Sequence, residues 1–275
     1  MPVLRNARTG LALVLALLLF AIVGPLLAQH APDASDFEHG ITATFLPAPP
    51  SRTHWLGTDP LFRDVFARLA AGARLSLVIG ILATAVATTL GTAVGLVAGW
   101  YERRWVDTAL MRLVDIGLAF PFLLLVMALG AALERTTALT ILVTLGLTGW
   151  LGVARIVRAK TLQVRARDYV LAAQALGQRA PTIVLRHVLP NVLGPVIVTA
   201  TLLVAQMILA ESVLSYLGAG IAPPAATWGH MLFEGQDSLA AAPWITAAPG
   251  VAILVAVLGF NLLGEGLRDA LDPRS

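Results

Sequence analysis

Apolar runs alternate with polar or arginine-bearing stretches along the whole chain, and most of the runs are long enough to cross a bilayer. Leu11 to Ala28, about Ala73 to Ala98, about Thr108 to Leu133, Leu139 to about Ile156, about Val192 to Leu214 and about Trp244 to Leu263 predict six membrane helices. The first run follows Arg5 and Arg8 and ends in small residues, so a cleaved signal peptide is the rival reading, but its length favours a retained anchor. Pro121 falls inside the third run and predicts a kink there. Arg112 and Asp115 lie near the start of the same run, close enough in sequence to pair. Glu211 sits near one end of the fifth run, where an acidic side chain is a functional candidate by default and a capping or pairing group otherwise.

The connecting stretches divide the chain into an N-terminal anchor at 1–28, a loop and amphipathic segment at 29–72, and a five-helix core at 73–275. From Gln29 to about Ala70 the chain is polar and proline-rich; towards its end Leu61, Val65 and Leu69 alternate with Arg63, Asp64 and Arg68, predicting an amphipathic helix at the membrane interface. Glu134 and Arg135 mark a short turn on the same side as this loop, and Ala219 to Ala242 form another loop there. The remaining connection, Ala154 to Asn191, carries the densest basic cluster: Arg155, Arg158, Lys160, Arg165, Arg167, Arg179 and Arg186. The positive-inside rule puts that cluster, Arg103 and Arg104, both termini and the tail arginines Arg268 and Arg274 in the cytoplasm. Within it Tyr169, Ala172, Ala173 and Leu176 share one helical face, Gly177 offers a left-handed stop, and Pro181 starts a second short helix to Leu189 that Pro190 and Asn191 close, with Asn191 as the N-cap of the next span.

Composition agrees with a polytopic membrane protein: 57% of residues are hydrophobic, 13% are charged and the mean hydropathy is +0.81. The net charge of +3 therefore belongs to cytoplasmic loops and not to nucleic-acid binding. The absence of cysteine excludes disulfides, thiolate zinc sites and iron-sulfur clusters within the chain. Lys160 is the only lysine and no G-x-x-x-x-G-K-[ST] loop exists, so any ATP and magnesium must be held by separate subunits. His30, His39 and His54 with Asp33, Asp36 and Glu38 could hold a divalent metal, but their irregular spacing favours a solvated loop, and no metal or other cofactor is assigned to the chain. A nucleophile-and-base constellation is missing too, which argues against a membrane enzyme.

Leu56-Gly57-Thr58-Asp59, Arg63-Asp64, Arg68-Leu69, Gly72 and Arg74-Leu75-Ser76-Leu77, with Phe62 in the place of a glycine, resemble a segment of the dipeptide and oligopeptide import permeases of the ABC class, whose close relatives move nickel or its chelates. Ala172, Ala173, Gly177 and Val188-Leu189-Pro190 follow the coupling-loop pattern, with Leu171 in the place of its glutamate. Pro223-Pro224, Trp228-Gly229 and Met231-Leu232 continue the likeness. The resemblance implies an all-α type I importer fold with six spans and a cytoplasmic coupling helix. It also implies a second, homologous permease, two ATPase subunits, an extracytoplasmic binding protein and a location in the bacterial inner membrane. Peptide import is the function it implies, with nickel or metal-chelate import, or a secondary transporter that uses Glu211, as alternatives. Tyr169, Ala172, Ala173, Leu176, Gly177 and Pro190 then stand as coupling residues, and Asp115, Pro121 and Glu211 as translocation or gating candidates.

Overall fold

The computed structural model describes residues 2–132 and 137–271; Glu134, Arg135 and Arg274 lie outside them. The order is α1 (Pro2–Leu27), α2 (Val65–Trp100), α3 (Trp105–Ala119), α4 (Phe122–Ala132), α5 (Ala138–Arg165), α6 (Asp168–Ala175), α7 (Ala180–Ile183), a π-turn (Val184–Val188), α8 (Leu189–Tyr216), α9 (Trp228–Gly235) and α10 (Trp244–Leu271). Among the described residues there is no strand, only the isolated bridges Ser35–Arg63, Ile41–Pro47 and Thr58–Asp64. Among the described residues five helices are long and apolar enough to cross a membrane, and α3 with the start of α4 forms a sixth stretch bent by 94°.

That bend corrects the expected kink. Pro121 cannot donate an N–H to the preceding turn and it pushes Phe120 into extended backbone (φ −87°, ψ 138°), so the helix stops and restarts. A second correction concerns 61–69. No separate amphipathic helix lies there: Asp64 caps α2 by accepting from the Ala67 N–H at 2.7 Å, and a single 36-residue helix follows. Arg63, Asp64 and Arg68, expected on a wet face, are buried. Phe62, in the place of the resemblance's glycine, has φ +61°, the left-handed region where glycine carries no steric cost.

The third correction is at Pro190. The predicted second short helix does not end there, and Asn191 is not an N-cap; helix runs from Ala180 to Tyr216, the longest of the candidate spans. The π-turn at 184–188 takes up the residue that Pro190 would otherwise force out of register, and the Asn191 side-chain amide donates to the His187 carbonyl at 2.8 Å.

The helices close on one another through small residues, as expected where lipid gives no hydrophobic drive between apolar surfaces. Gly91, Gly95 and Gly99 of α2 face Val153, Val157 and Thr161 of α5, and a methyl group on any of the three would sit 2.6 Å from the opposing Cβ. Two ends of the bundle result. One, the basic end, carries the turn at 101–104 and the segment 166–183; the other, the loop end, carries 28–64 and 217–243.

Candidate functional site

At the basic end α6 is held against the bundle by one face and leaves the other open. Val170 and Ala173 (5% exposed) pack with Val164, Ile183 and Val188. Tyr169 (44% exposed), Leu171, Ala172 and Leu176 (81% exposed) point away from it. Ala173 is thus separated from the face on which periodicity placed it: it anchors the helix instead of presenting it. Gly177 is the left-handed stop, at φ +74°. Its N–H donates to Gln174 O at 3.0 Å and the Gln178 N–H donates to Ala173 O at 3.2 Å, the paired bonds of a Schellman ending. Pro190 lies inside the following helix and takes no part in this face.

The basic cluster also divides. Arg158 makes a two-pronged ion pair with Asp107 (2.6 and 2.8 Å), and Arg155 donates to Asp115 at 2.6 Å. Asp115 therefore pairs with α5 and not with Arg112, its neighbour in α3. Both pairs brace the broken helix against α5. Arg167, Arg179 and Arg186 remain exposed around α6.

Between α3, α4, α5 and α8 lies a cavity of about 670 Å³ with a largely apolar lining. Leu118 and Phe122, on either side of the Pro121 break, line it, as do Thr148, Gly152, Thr199 and Gln206. Gly152 leaves the space before it empty. None of the three residues singled out for translocation is itself in the lining; Pro121 acts through the turn that directs its neighbours there. The lining residues escaped sequence reading because they are ordinary Leu, Thr, Gly and Gln, made neighbours only by the bend. A Pro inside an apolar run was the one available signal.

Glu211 is enclosed at the loop end. It accepts from Ser76 Oγ at 3.1 Å and from Ser215 Oγ at 2.8 Å, tying α8 to α2. Beside it, Glu234 of α9 accepts from Arg63 (2.7 Å) and from Arg68 (2.6 Å), and Arg63 also donates to Asp59 at 2.7 Å. Burial would raise the Glu234 carboxyl, but His230, Arg68 and Arg63 outweigh it and hold the group down at about 2. Trp228 and Trp244 complete the closure by donating indole N–H groups to Leu69 O and Thr58 O.

A helix with an outward apolar face at one end, a cavity in mid-bundle and a sealed opposite end are the parts of a transport subunit. The family described as binding-protein-dependent transport system inner membrane component matches residues 91–275, and the N-terminal TM domain of oligopeptide transport permease C matches residues 5–50. The chain belongs to this permease family. It is 39% identical to the oligopeptide transport system permease protein OppC of Bacillus subtilis (strain 168) over 98% of this chain and 86% of that protein. Identity is also 39% to the dipeptide transport system permease protein DppC of Alkalihalophilus pseudofirmus, with the same coverage. OppC of Escherichia coli (strain K12) is 40% identical over 98% of this chain and 87% of that protein. The permease is a multi-pass inner-membrane transport component of an ABC importer.

Proposed function

We propose that this permease forms the membrane pathway of an ATP-driven importer of dipeptides or oligopeptides. Each similar protein named above carries a peptide transport name, which favours peptides over nickel or its chelates. The assembly would contain this chain, a homologous permease, two cytoplasmic ATPases that hold ATP and magnesium, and an extracytoplasmic binding protein. The arginine asymmetry supports a basic end that faces the cytoplasm, on the same side as both termini, and a loop end that faces outward. A secondary transporter that uses Glu211 is disfavoured, because that carboxylate is enclosed and off the cavity wall.

The observation that carries the reading is the outward apolar face of α6, with Tyr169, Leu171, Ala172 and Leu176 exposed on a helix that is itself firmly anchored. Apolar side chains kept at such a surface mark a docking site. There Leu171 replaces a charged group with an apolar one, so this contact depends on shape and desolvation. The bundle gives the rest of the mechanism: movement of α6 is carried by α5 and by α7 to α8 into the cavity wall, exchanging access between the two ends. Uptake of labelled dipeptides and tetrapeptides into vesicles containing the whole complex tests this. ATP-dependent uptake is expected, and it should vanish in Ala172→Glu while the complex stays inserted. ATP-independent uptake driven by a proton gradient would sink the proposal.

A further inference from the structure

The loop expected to be solvated is folded, and it brings His30, His54 and Asp36 together with Asp64. The His30 and His54 rings stack with centroids 4.5 Å apart and planes inclined by 27°. Their Nε2 edges face one carboxylate oxygen, Asp36 Oδ2, at 4.0 Å from His30 and 3.2 Å from His54. Their Nδ1 edges face a different one, Asp64 Oδ2, at 3.7 and 2.8 Å respectively. Each carboxylate is held by its other oxygen: Asp64 Oδ1 caps α2 through the Ala67 N–H, and Asp36 Oδ1 accepts from the N–H groups of Glu38 and His39, both at 2.9 Å.

The geometry points to a divalent-cation site formed by His30 Nδ1, His54 Nδ1 and Asp64 Oδ2, with a borderline ion such as zinc as its chemical class. One ligand atom from each of the three residues lies within 4.8 Å of the others. With protons on Nε2, directed at Asp36, both Nδ1 lone pairs turn towards Asp64 Oδ2. Two ring lone pairs directed at one carboxylate oxygen need a positive charge among them. A second proton on His54 would satisfy its contact with Asp64. It would leave His30 Nδ1, which is enclosed and lacks a hydrogen-bond partner, without one. A cation answers all three atoms. Zinc with bonds of about 2.0–2.2 Å sets neighbouring donors about 3.4 Å apart, and the separations of 2.8 and 3.7 Å bracket that value. Asp36 then supplies the carboxylate behind the ligating imidazoles that fixes their tautomer. His30 is partly exposed, which leaves a coordination position open to solvent.

Such an ion joins three segments that the chain otherwise brings together only by packing: the tail of α1, the loop at His54 and the cap of α2. The reading does not depend on the cargo or on the ATPases. The full-length chain, purified with its affinity tag removed, is titrated with Co²⁺ and followed by visible absorption, then challenged with Zn²⁺. One Co²⁺ per chain with ligand-field bands is expected, displaced by Zn²⁺, together with a Zn²⁺-dependent rise in unfolding temperature. His30→Ala and Asp64→Asn, the latter keeping an oxygen for the helix cap, should weaken binding by at least about tenfold, and Asp36→Asn by about 10–100-fold. His187→Ala, which alters a ring in the π-turn at the opposite end of the bundle, should leave it unchanged. Absence of stoichiometric binding by the unmodified chain would overturn the site. So would binding that survives both His30→Ala and Asp64→Asn, and doubly protonated His54 ring signals at neutral pH in metal-saturated buffer would assign the charge to a proton.

Discussion

The two ends of this bundle treat charge differently, although each exposes apolar side chains, Phe45 and Leu61 among them at the loop end. At the loop end Asp59, Arg63, Asp64, Arg68 and Glu211 are buried and engaged, and the apolar Trp228 is wholly enclosed. At the basic end Arg167, Arg179 and Arg186 are exposed, and so are Leu171, Leu176 and Leu185. A buried charge is tolerable only with its partners fixed, so the loop end is held closed by its own ion pairs. The basic end leaves Arg167, Arg179 and Arg186 exposed beside the open face of α6, which a subunit destined to touch another can do. Charge at the loop end is therefore satisfied internally, whereas at the basic end it is left for something else to meet.

Removing one member of the buried network should have the largest effect. Glu234→Ala strands two arginines that share its carboxylate, and a cost of about 3–5 kcal/mol is expected in thermal unfolding of the purified chain. Arg179→Ala at the other end should change stability by less than about 0.5 kcal/mol. Equal losses from the two would erase the contrast.

Next comes α6, where neighbouring alanines should separate stability from transport. Ala173→Glu buries a charge against Val170 and Ile183 and should lower stability by on the order of 2 kcal/mol, with transport lost as well. Ala172→Glu should abolish uptake at unchanged unfolding temperature, because that position is exposed. Gly177→Val should cost about 1–2 kcal/mol through its positive φ alone, since no atom crowds the position. Matching behaviour of the 172 and 173 variants would remove the distinction between the anchoring and presenting faces.

Acid should act on one end first. Glu234 is held at about 2 when folded against an ordinary value of 4.5, so its contribution is complete above pH 4.5 and is lost as pH falls towards 2. Cysteine-labelling or protease-cleavage rates measured between pH 6 and pH 3 should rise in the 28–64 segment before they rise around α6. A gradient in the opposite direction would contradict the assignment. The smallest change expected is at Phe62→Gly. Relief of the left-handed backbone, about 1 kcal/mol, is offset by loss of the edge contact with the Phe37 ring 5.6 Å away, and near-neutral unfolding is expected.

Helices and the Gly177 stop were legible because they are local: apolar run length and one residue without a side chain are enough to specify them. The same local reasoning failed at Arg63, Asp64 and Arg68. Their alternation with Leu61 and Leu69 imitates a wet helix face, while the carboxylate that buries Arg68 lies 166 residues further on. Asp64 did carry a local signal, a short acid just before a long apolar run, which is the mark of an N-cap. Pro190 was misread for a different reason. Proline usually ends a helix, and only the preceding π-turn, invisible in the sequence, lets this one continue. The cavity was the least legible feature, since its lining comes from three separate parts of the chain that meet at the Pro121 bend.

The unbroken helix from Ala180 to Tyr216 makes the bundle a lever as well as a wall. Its 37 residues extend over about 55 Å, with Pro190 near the foot and Gln206 about 24 Å further along. A tilt of about 5° at the foot would sweep Gln206 through roughly 2 Å, about half the width of a methyl group, with no side chain changing rotamer. Because the helix continues across the π-turn at 184–188 and through Pro195, small angular displacements at one membrane face are carried to mid-membrane, and the length of the rod scales the stroke.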